Sequence, residues 1–326
     1  MWKREEKERM ENMYGNRGAF VREEIRRTRH RSELKLYTAC ILCGLIAACF
    51  VIFFFSDDFD ITEEIKNLLI FLGLQEGRPD FIGVMAVLII LVGILGGIVS
   101  IIVMIVGYVT SVYALYANQL SYSIRVSEKN FPEIHRKVLE FTELLGLPSA
   151  PEVFVQQMNG ELNAFTCWVP GRIFIQLNAE IVDLAYMENK DFDTVYFILA
   201  HEMGHAYLHH VQLQYAIWSM PVNFIPVLGT YILSPLLSRS REYSADRVAQ
   251  ALTGGTGELS AMMMLSAGRH AYKYLNPQDY LAEITRKRMP LERFAVKIVN
   301  LLASHPIMPY RTKAILDPEK RSGKLL

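Results

Sequence analysis

The chain has only four cysteines. Cys40, Cys43 and Cys49 share one apolar run, and Cys167 stands alone. That scatter speaks against a disulfide framework of the secreted kind, and a CxxC-type zinc site has no second half here. Charge of one sign is lacking as well. Lys plus Arg and Asp plus Glu balance at 34 each, so no overall basic field exists to attract nucleic acid, and none is expected as a partner. There is no internal repeat and no low-complexity tract. A cleaved leader is not expected, because residues 1–35 are mostly charged and no small-residue cleavage site follows the first apolar run.

What is abundant is apolar sequence. Hydrophobic residues make up 51% of the 326, more than a soluble globule of this size usually needs. Leu36–Phe55 holds 20 uncharged residues, and at roughly 1.5 Å per residue such a helix matches a hydrocarbon core of about 30 Å. Phe81–Ala117 is uncharged for 37 residues, too long for one crossing and too short for two with a turn, so it reads as one helix that continues beyond the bilayer. Residues 1–35 hold 11 Lys or Arg against 7 Asp or Glu, whereas residues 56–80 hold 2 against 7. That asymmetry sets the amino terminus in the cytoplasm. A multi-pass protein follows, with an acidic extracytoplasmic loop over 56–80 and everything after about residue 118 on the cytoplasmic side.

Residues 1–34 show little apolar periodicity and read as a solvated helix or disordered tail near anionic lipid, with no part in catalysis. After the second apolar run, NFPEIHRKVLEFTELLGL opens with a capping-type Asn130 and Pro132, repeats apolar residues at helical spacing and stops at Gly146. PEVFVQQ, NAFTCWV and GRIFIQLN are short, β-branched and aromatic, and are separated by Asn-Gly and Pro-Gly pairs. They read as a small antiparallel sheet, and the rest as mainly helical.

The chemistry gathers at His201-Glu202-Met203-Gly204-His205. Histidines four apart on a helix share one face and can meet a single metal ion, and the intervening glutamate lies beside that face. Glu202 is then placed to take a proton from a water whose pKa a bound zinc lowers towards about 7, and to pass it to the leaving amine. A catalytic zinc usually takes three protein ligands, so a third donor belongs downstream. Glu242 in SREYSADRVA is the choice, with Asp246 one turn later facing the same way to accept the free ring N–H of a ligand histidine. Among rival donors, His209 and His210 come too soon on the same helix and read as surface residues, His270 has no supporting neighbours, and His305 remains.

Taken together these residues resemble the HtpX-like membrane zinc metallopeptidases, the group that includes the CAAX-prenyl endopeptidases. The match runs from about Ser127 to Arg311 and comprises NAF at Asn163 to Phe165, HEMGH, the ExxxD of Glu242 and Asp246, and HPIMPYR at His305 to Arg311. The resemblance implies one Zn2+ held by His201, His205 and Glu242, with Glu202 as catalytic base. Asn163 and Ala164, on a strand beside the cleft, would offer backbone groups to an extended peptide, although Asn163 serves equally as a turn residue. His305 and Arg311 would stabilise the oxyanion, although His305-Pro306 serves equally to cap a helix.

One stretch departs from that group, which often carries two further crossings between HEMGH and ExxxD. Here residues 214–237 form a single apolar stretch broken by Pro221, Pro226 and Pro235. It cannot cross once without separating Glu242 from the histidines, and it is too short to cross twice. An apolar hairpin at the membrane surface and a buried hairpin of the domain core both remain open. The expected molecule is thus a two-helix anchor on a mainly α, zincin-like (gluzincin) metalloprotease domain with a small antiparallel sheet. It would cut membrane or misfolded proteins in quality control. The alternatives are processing of lipid-modified peptides and a non-catalytic zinc-stabilised scaffold.

Overall fold

The computed structural model describes residues 2–54, 79–187, 190–213, 215, 228–286, 289–303, 305–317 and 323–325, with only the backbone described for parts of the apolar helices. Helix α1 (Trp2–Thr28) is not merely solvated. Val21 and Ile25, one turn apart, are 3% and 2% exposed and enter the main core, and Arg22 Nη1 donates to the Leu144 carbonyl at 2.9 Å. Two well-spaced apolar residues seat the helix, and the charged residues around them hide that face from any composition argument.

Helices also form over both apolar runs, α2 (Glu33–Phe54) and α3 (Pro79–Tyr122). Among the described residues no helix is long and apolar enough to cross a membrane. The described side chains of these helices nonetheless include Ile46, Val92, Leu95 and Val103, each between 63% and 68% exposed. The acidic loop expected over 56–80 lies outside the described residues up to residue 78. The last turns of α3 lie on the sheet: Val112 packs with Phe154, Val169 and Phe174, and the Tyr116 hydroxyl donates to Glu152 Oε2 at 2.7 Å.

Helix α4 (Pro132–Leu145) buries Ile134, Val138, Phe141, Leu144 and Leu145 at helical spacing. It ends where the N–H groups of Gly146 and Leu147 return to the carbonyls of Glu143 and Thr142. Asn130 does not cap its start; Phe131 holds that position.

The sheet corrects the expectation in two ways. A short strand β1 (Ile124–Arg125) precedes β2 (Glu152–Gln156), β3 (Ala164–Val169) and β4 (Arg172–Asn178), and the order is β1-β2-β4-β3. It is also mixed, because β2 and β4 are parallel while β1 pairs β2, and β3 pairs β4, antiparallel. The Pro170-Gly171 turn fixes β3 and β4 as a hairpin, and it is β4 that inserts beside β2. A strand antiparallel to β3 then runs with β2, and β3 is left at the edge.

Helix α5 (Ala179–Tyr186) leads into α6 (Phe192–Tyr207), which carries HEMGH through the centre of the core. Asp191 starts α6 by accepting the Thr194 N–H at 3.1 Å and the Thr194 hydroxyl at 2.8 Å. Helix α7 (Ser234–Thr253) crosses it, continuing directly from a π-helical turn at Leu228–Leu233. Residues 214 and 216–227 of the stretch expected as an apolar hairpin lie outside the described residues. Gly204 is where α6 and α7 touch: a Cβ there would stand 3.0 Å from Val248 Cβ and 3.2 Å from the Ala245 Cα and carbonyl oxygen.

Helices α8 (Glu258–Ala267), α9 (Pro277–Thr285), α10 (Pro290–Leu302) and α11 (Met308–Leu316) complete the described domain. The fully buried Arg239 of α7 donates through Nη1 to the carbonyls of Asn300, Leu301 and Ala303 at 2.7–2.9 Å, satisfying the end of α10. Asn300 Oδ1 then accepts the Ile307 N–H at 3.2 Å, so the chain on both sides of His305 is tied down.

Candidate metal centre

His201 and His205 project from one face of α6, and Glu242 reaches them from α7. His201 Nε2 lies 3.2 Å from His205 Nε2 and 3.4 Å from Glu242 Oε2, and His205 Nε2 lies 3.3 Å from Glu242 Oε1. Bonds of about 2.0–2.1 Å to one tetrahedral ion would set its ligand atoms roughly 3.3 Å apart. Each histidine thus faces its own oxygen of the Glu242 carboxylate; one donor atom from each residue brings all three within 4.8 Å of one another, and the donor set of two imidazoles and a carboxylate suits zinc.

Behind the ligands stands a buried ion pair. Arg311, on α11, donates through Nε and Nη2 to the two Asp246 oxygens at 2.7 Å each. Asp246 Oδ1 is also 2.9 Å from His201 Nδ1, the nitrogen turned away from the other ligands, as its place one turn after Glu242 led one to expect. Arg311 is 8% exposed and its fork is engaged by Asp246, with Nη1 3.5 Å from Glu242 Oε2. Nη2 also lies 3.1 Å from His201 Nδ1 and 3.2 Å from His201 Nε2, and Arg311 borders the cleft.

Burial pushes the Glu242 carboxyl up, but hydrogen bonds from His201, His205 and His305 prevail and hold it well below the usual carboxylate range. Burial and the Arg311 charge push His201 down, while hydrogen bonds to Asp246 and Glu242 outweigh them and raise it to about 9. A cation entering here displaces a proton. His305 is raised as well, chiefly through its bond to Glu242, whose Oε2 lies 3.2 Å from His305 Nδ1. Its side chain is 66% exposed, on the cleft side.

The cleft of about 400 Å³ is lined by the three ligands, Glu202, His305, Arg311, Asn163 and Ala164, so every residue singled out from the sequence borders it except Asp246. Asn163 accepts the Asn178 N–H on its carbonyl at 3.1 Å, and its amide donates to Glu161 Oε1 at 3.3 Å. Alternation along the strand then turns the backbone groups of Ala164 and Thr166 to the open edge of β3.

Three contributors were not foreseen. The Thr166 hydroxyl sits 2.8 Å from Glu202 Oε2 and 2.9 Å from the Glu202 carbonyl; a hydroxyl within a β pattern gives no signal of this. His210, expected on the surface, has a side chain only 4% exposed. The reason is that α6 stops at Tyr207: His209, at φ 63°, reverses the chain, and His210 folds back so that its N–H meets the His205 carbonyl at 3.0 Å. Glu33, at the start of α2, is the third, 3.0 Å from His210 Nε2. His209 is exposed as expected; His270 is exposed too.

The sequence model of peptidase family M48 matches residues 128–319. No curated protein and no solved structure gives a significant match.

Proposed function

This chain belongs to peptidase family M48, and from that premise we propose that it is a zinc-dependent endopeptidase of the HtpX-like group. It is anchored in a membrane through the apolar runs Leu36–Phe55 and Phe81–Ala117 and cuts membrane or misfolded proteins at the cytoplasmic lipid surface. That it is a metallopeptidase follows from the family itself. The mainly helical domain with its small mixed sheet fits a zincin-like fold. The observation that carries the finer reading is the centre, where the Nε2 atoms of His201 and His205 lie 3.2 Å apart and each faces a Glu242 oxygen at 3.3–3.4 Å, with Glu202 beside them and a strand edge alongside.

His201, His205 and Glu242 hold the metal. Zinc, when bound, supplies a Lewis acid that acidifies water and polarises a carbonyl. Glu202, with its carboxylate steadied by the Thr166 hydroxyl at 2.8 Å, accepts the proton of the attacking water and returns it to the leaving amine. An extended substrate joins the open edge of β3 through the backbone of Ala164 and Thr166, with Asn163 at the entrance. His305, raised by its bond to Glu242, donates to the oxyanion that forms on the attacked carbonyl. Arg311, held by Asp246, keeps His201 in place and borders the cleft where substrate lies. Ile181, Phe197, Ile198 and Met262 line the cleft and favour an apolar residue next to the scissile bond.

The anchor rests on sequence length and on the exposed apolar side chains of α2 and α3, which water penalises by about 25 cal/mol per Å². Resistance to alkaline extraction from vesicles supports it, and release into the soluble fraction refutes it. For the chemistry, the detergent-purified protein is assayed for zinc and for casein cleavage beside Glu202→Ala. Cleavage by the wild type alone supports the mechanism, and equal cleavage by both overturns it.

A further inference from the structure

We infer that Glu33 and His210 form a positioning relay for the metal ligand His205, which makes the α1–α2 junction a working part of the centre. The inference rests on the metal-binding reading above and adds to it residues outside every motif named so far. His205 turns Nε2 towards His201 and Glu242, so its Nδ1 is the nitrogen left over, and that atom lies 2.9 Å from His210 Nδ1. At the far side of the His210 ring, Nε2 lies 3.0 Å from Glu33 Oε1. Only one proton order satisfies all three groups when His205 offers a lone pair on Nε2. Its Nδ1–H donates to His210 Nδ1, and His210 Nε2–H donates to the Glu33 carboxylate. Each ligand histidine then has a carboxylate behind it. Asp246 acts directly on His201, and Glu33 acts on His205 through one intervening imidazole.

The site is built rather than incidental. The Glu33 and His210 side chains are 3% and 4% exposed, and an isolated carboxylate at that depth is strongly disfavoured. Glu33 is kept there by Arg29, one turn back, and by the Ser244 hydroxyl on α7, midway between Glu242 and Asp246. A single carboxylate thus ties the amino-terminal helices to both ligand-bearing helices. A plain structural pin would need no imidazole in the middle, nor that imidazole's second nitrogen on His205.

The test compares detergent-purified wild type, His210→Ala, His210→Gln, Glu33→Ala and the double alanine variant. Zinc affinity is read by chelator competition, and the ligand field by the visible spectrum of the cobalt-substituted protein. Loss of a group behind a ligand histidine typically weakens the metal 10–100-fold. We expect that loss in His210→Ala and in Glu33→Ala, no further loss in the double variant, and an altered cobalt spectrum in each. Glutamine can accept from His205 and donate to Glu33, so His210→Gln should stay within a few-fold of wild type. Unchanged zinc affinity in folded His210→Ala overturns the relay. So do additive losses in the double variant, or a His210→Gln variant that folds yet binds zinc as weakly as the alanine variant. A wild type that binds no zinc would instead sink the metal-binding reading itself.

Discussion

Replacing Gly204 by alanine probes the contact on which the centre depends. The added Cβ would stand 3.0 Å from Val248 Cβ and 3.2 Å from the Ala245 Cα and carbonyl oxygen, against about 3.5–4.0 Å for an ordinary carbon contact. Two of those atoms are backbone of α7, so relief requires moving α7 away from α6 by a few tenths of an ångström. Overpacking of this kind costs about 1–3 kcal/mol, and the better helix propensity of alanine returns about 1 kcal/mol. The net loss of stability is therefore about 0–2 kcal/mol. The centre feels more, because Ala245 lies between Glu242 and Asp246, and metal sites tolerate deviations of only about 0.2 Å. Gly204→Ala should thus lower Tm by a few degrees or less while weakening zinc by at least tenfold, read by thermal melts and chelator competition. A variant with raised Tm and wild-type zinc affinity would refute the close approach of the two helices.

Other outcomes follow from the same geometry. Asp246→Asn keeps the shape but weakens the hold on His201 and Arg311, so zinc affinity should fall about 10–100-fold; unchanged affinity would remove Asp246 as the partner of His201. Thr166→Val removes the hydroxyl at Glu202 and should lower kcat about tenfold while zinc binding stays intact, and a drop confined to KM would contradict the assignment. Burial pushes His30 below its ordinary range, against a hydrogen bond to the Gly323 carbonyl. Between that lowered value and about 6.5 the unfolded chain binds the extra proton, so stability rises with pH across the window and is lost as pH falls through it. Melts of His30→Gln from pH 5 to 7 should show a shallower slope than wild type; equal slopes would count against the buried neutral imidazole.

Much of the centre was legible in the sequence because it rides on two helices. The 3.6-residue period alone puts His201 beside His205 and Glu242 beside Asp246, whatever the rest of the chain does. Arg311 was found but its ion pair with Asp246 was not, since only packing brings α11 against α7. The strands were located, yet their order was not, because insertion of β4 between β2 and β3 is a long-range pairing with no local signature. His210 was hidden by one backbone angle: a helix continued through His209 would carry it outward, and the reversal at φ 63° brings it in. Glu33 lay in a segment whose charge suggested solvent, and its burial depends on partners 177 and 211 residues away.

The central claim is that His201, His205 and Glu242 share one zinc on which Glu202 acts without holding it. Zinc content of wild type, Glu202→Ala and Glu242→Ala, measured on detergent-purified protein after exhaustive dialysis, tests it most directly. The account predicts about one zinc per chain in the first two and little in the third, since a catalytic site with two remaining protein ligands is one short of the usual three. Full occupancy in Glu242→Ala, or none in the wild type, would contradict it.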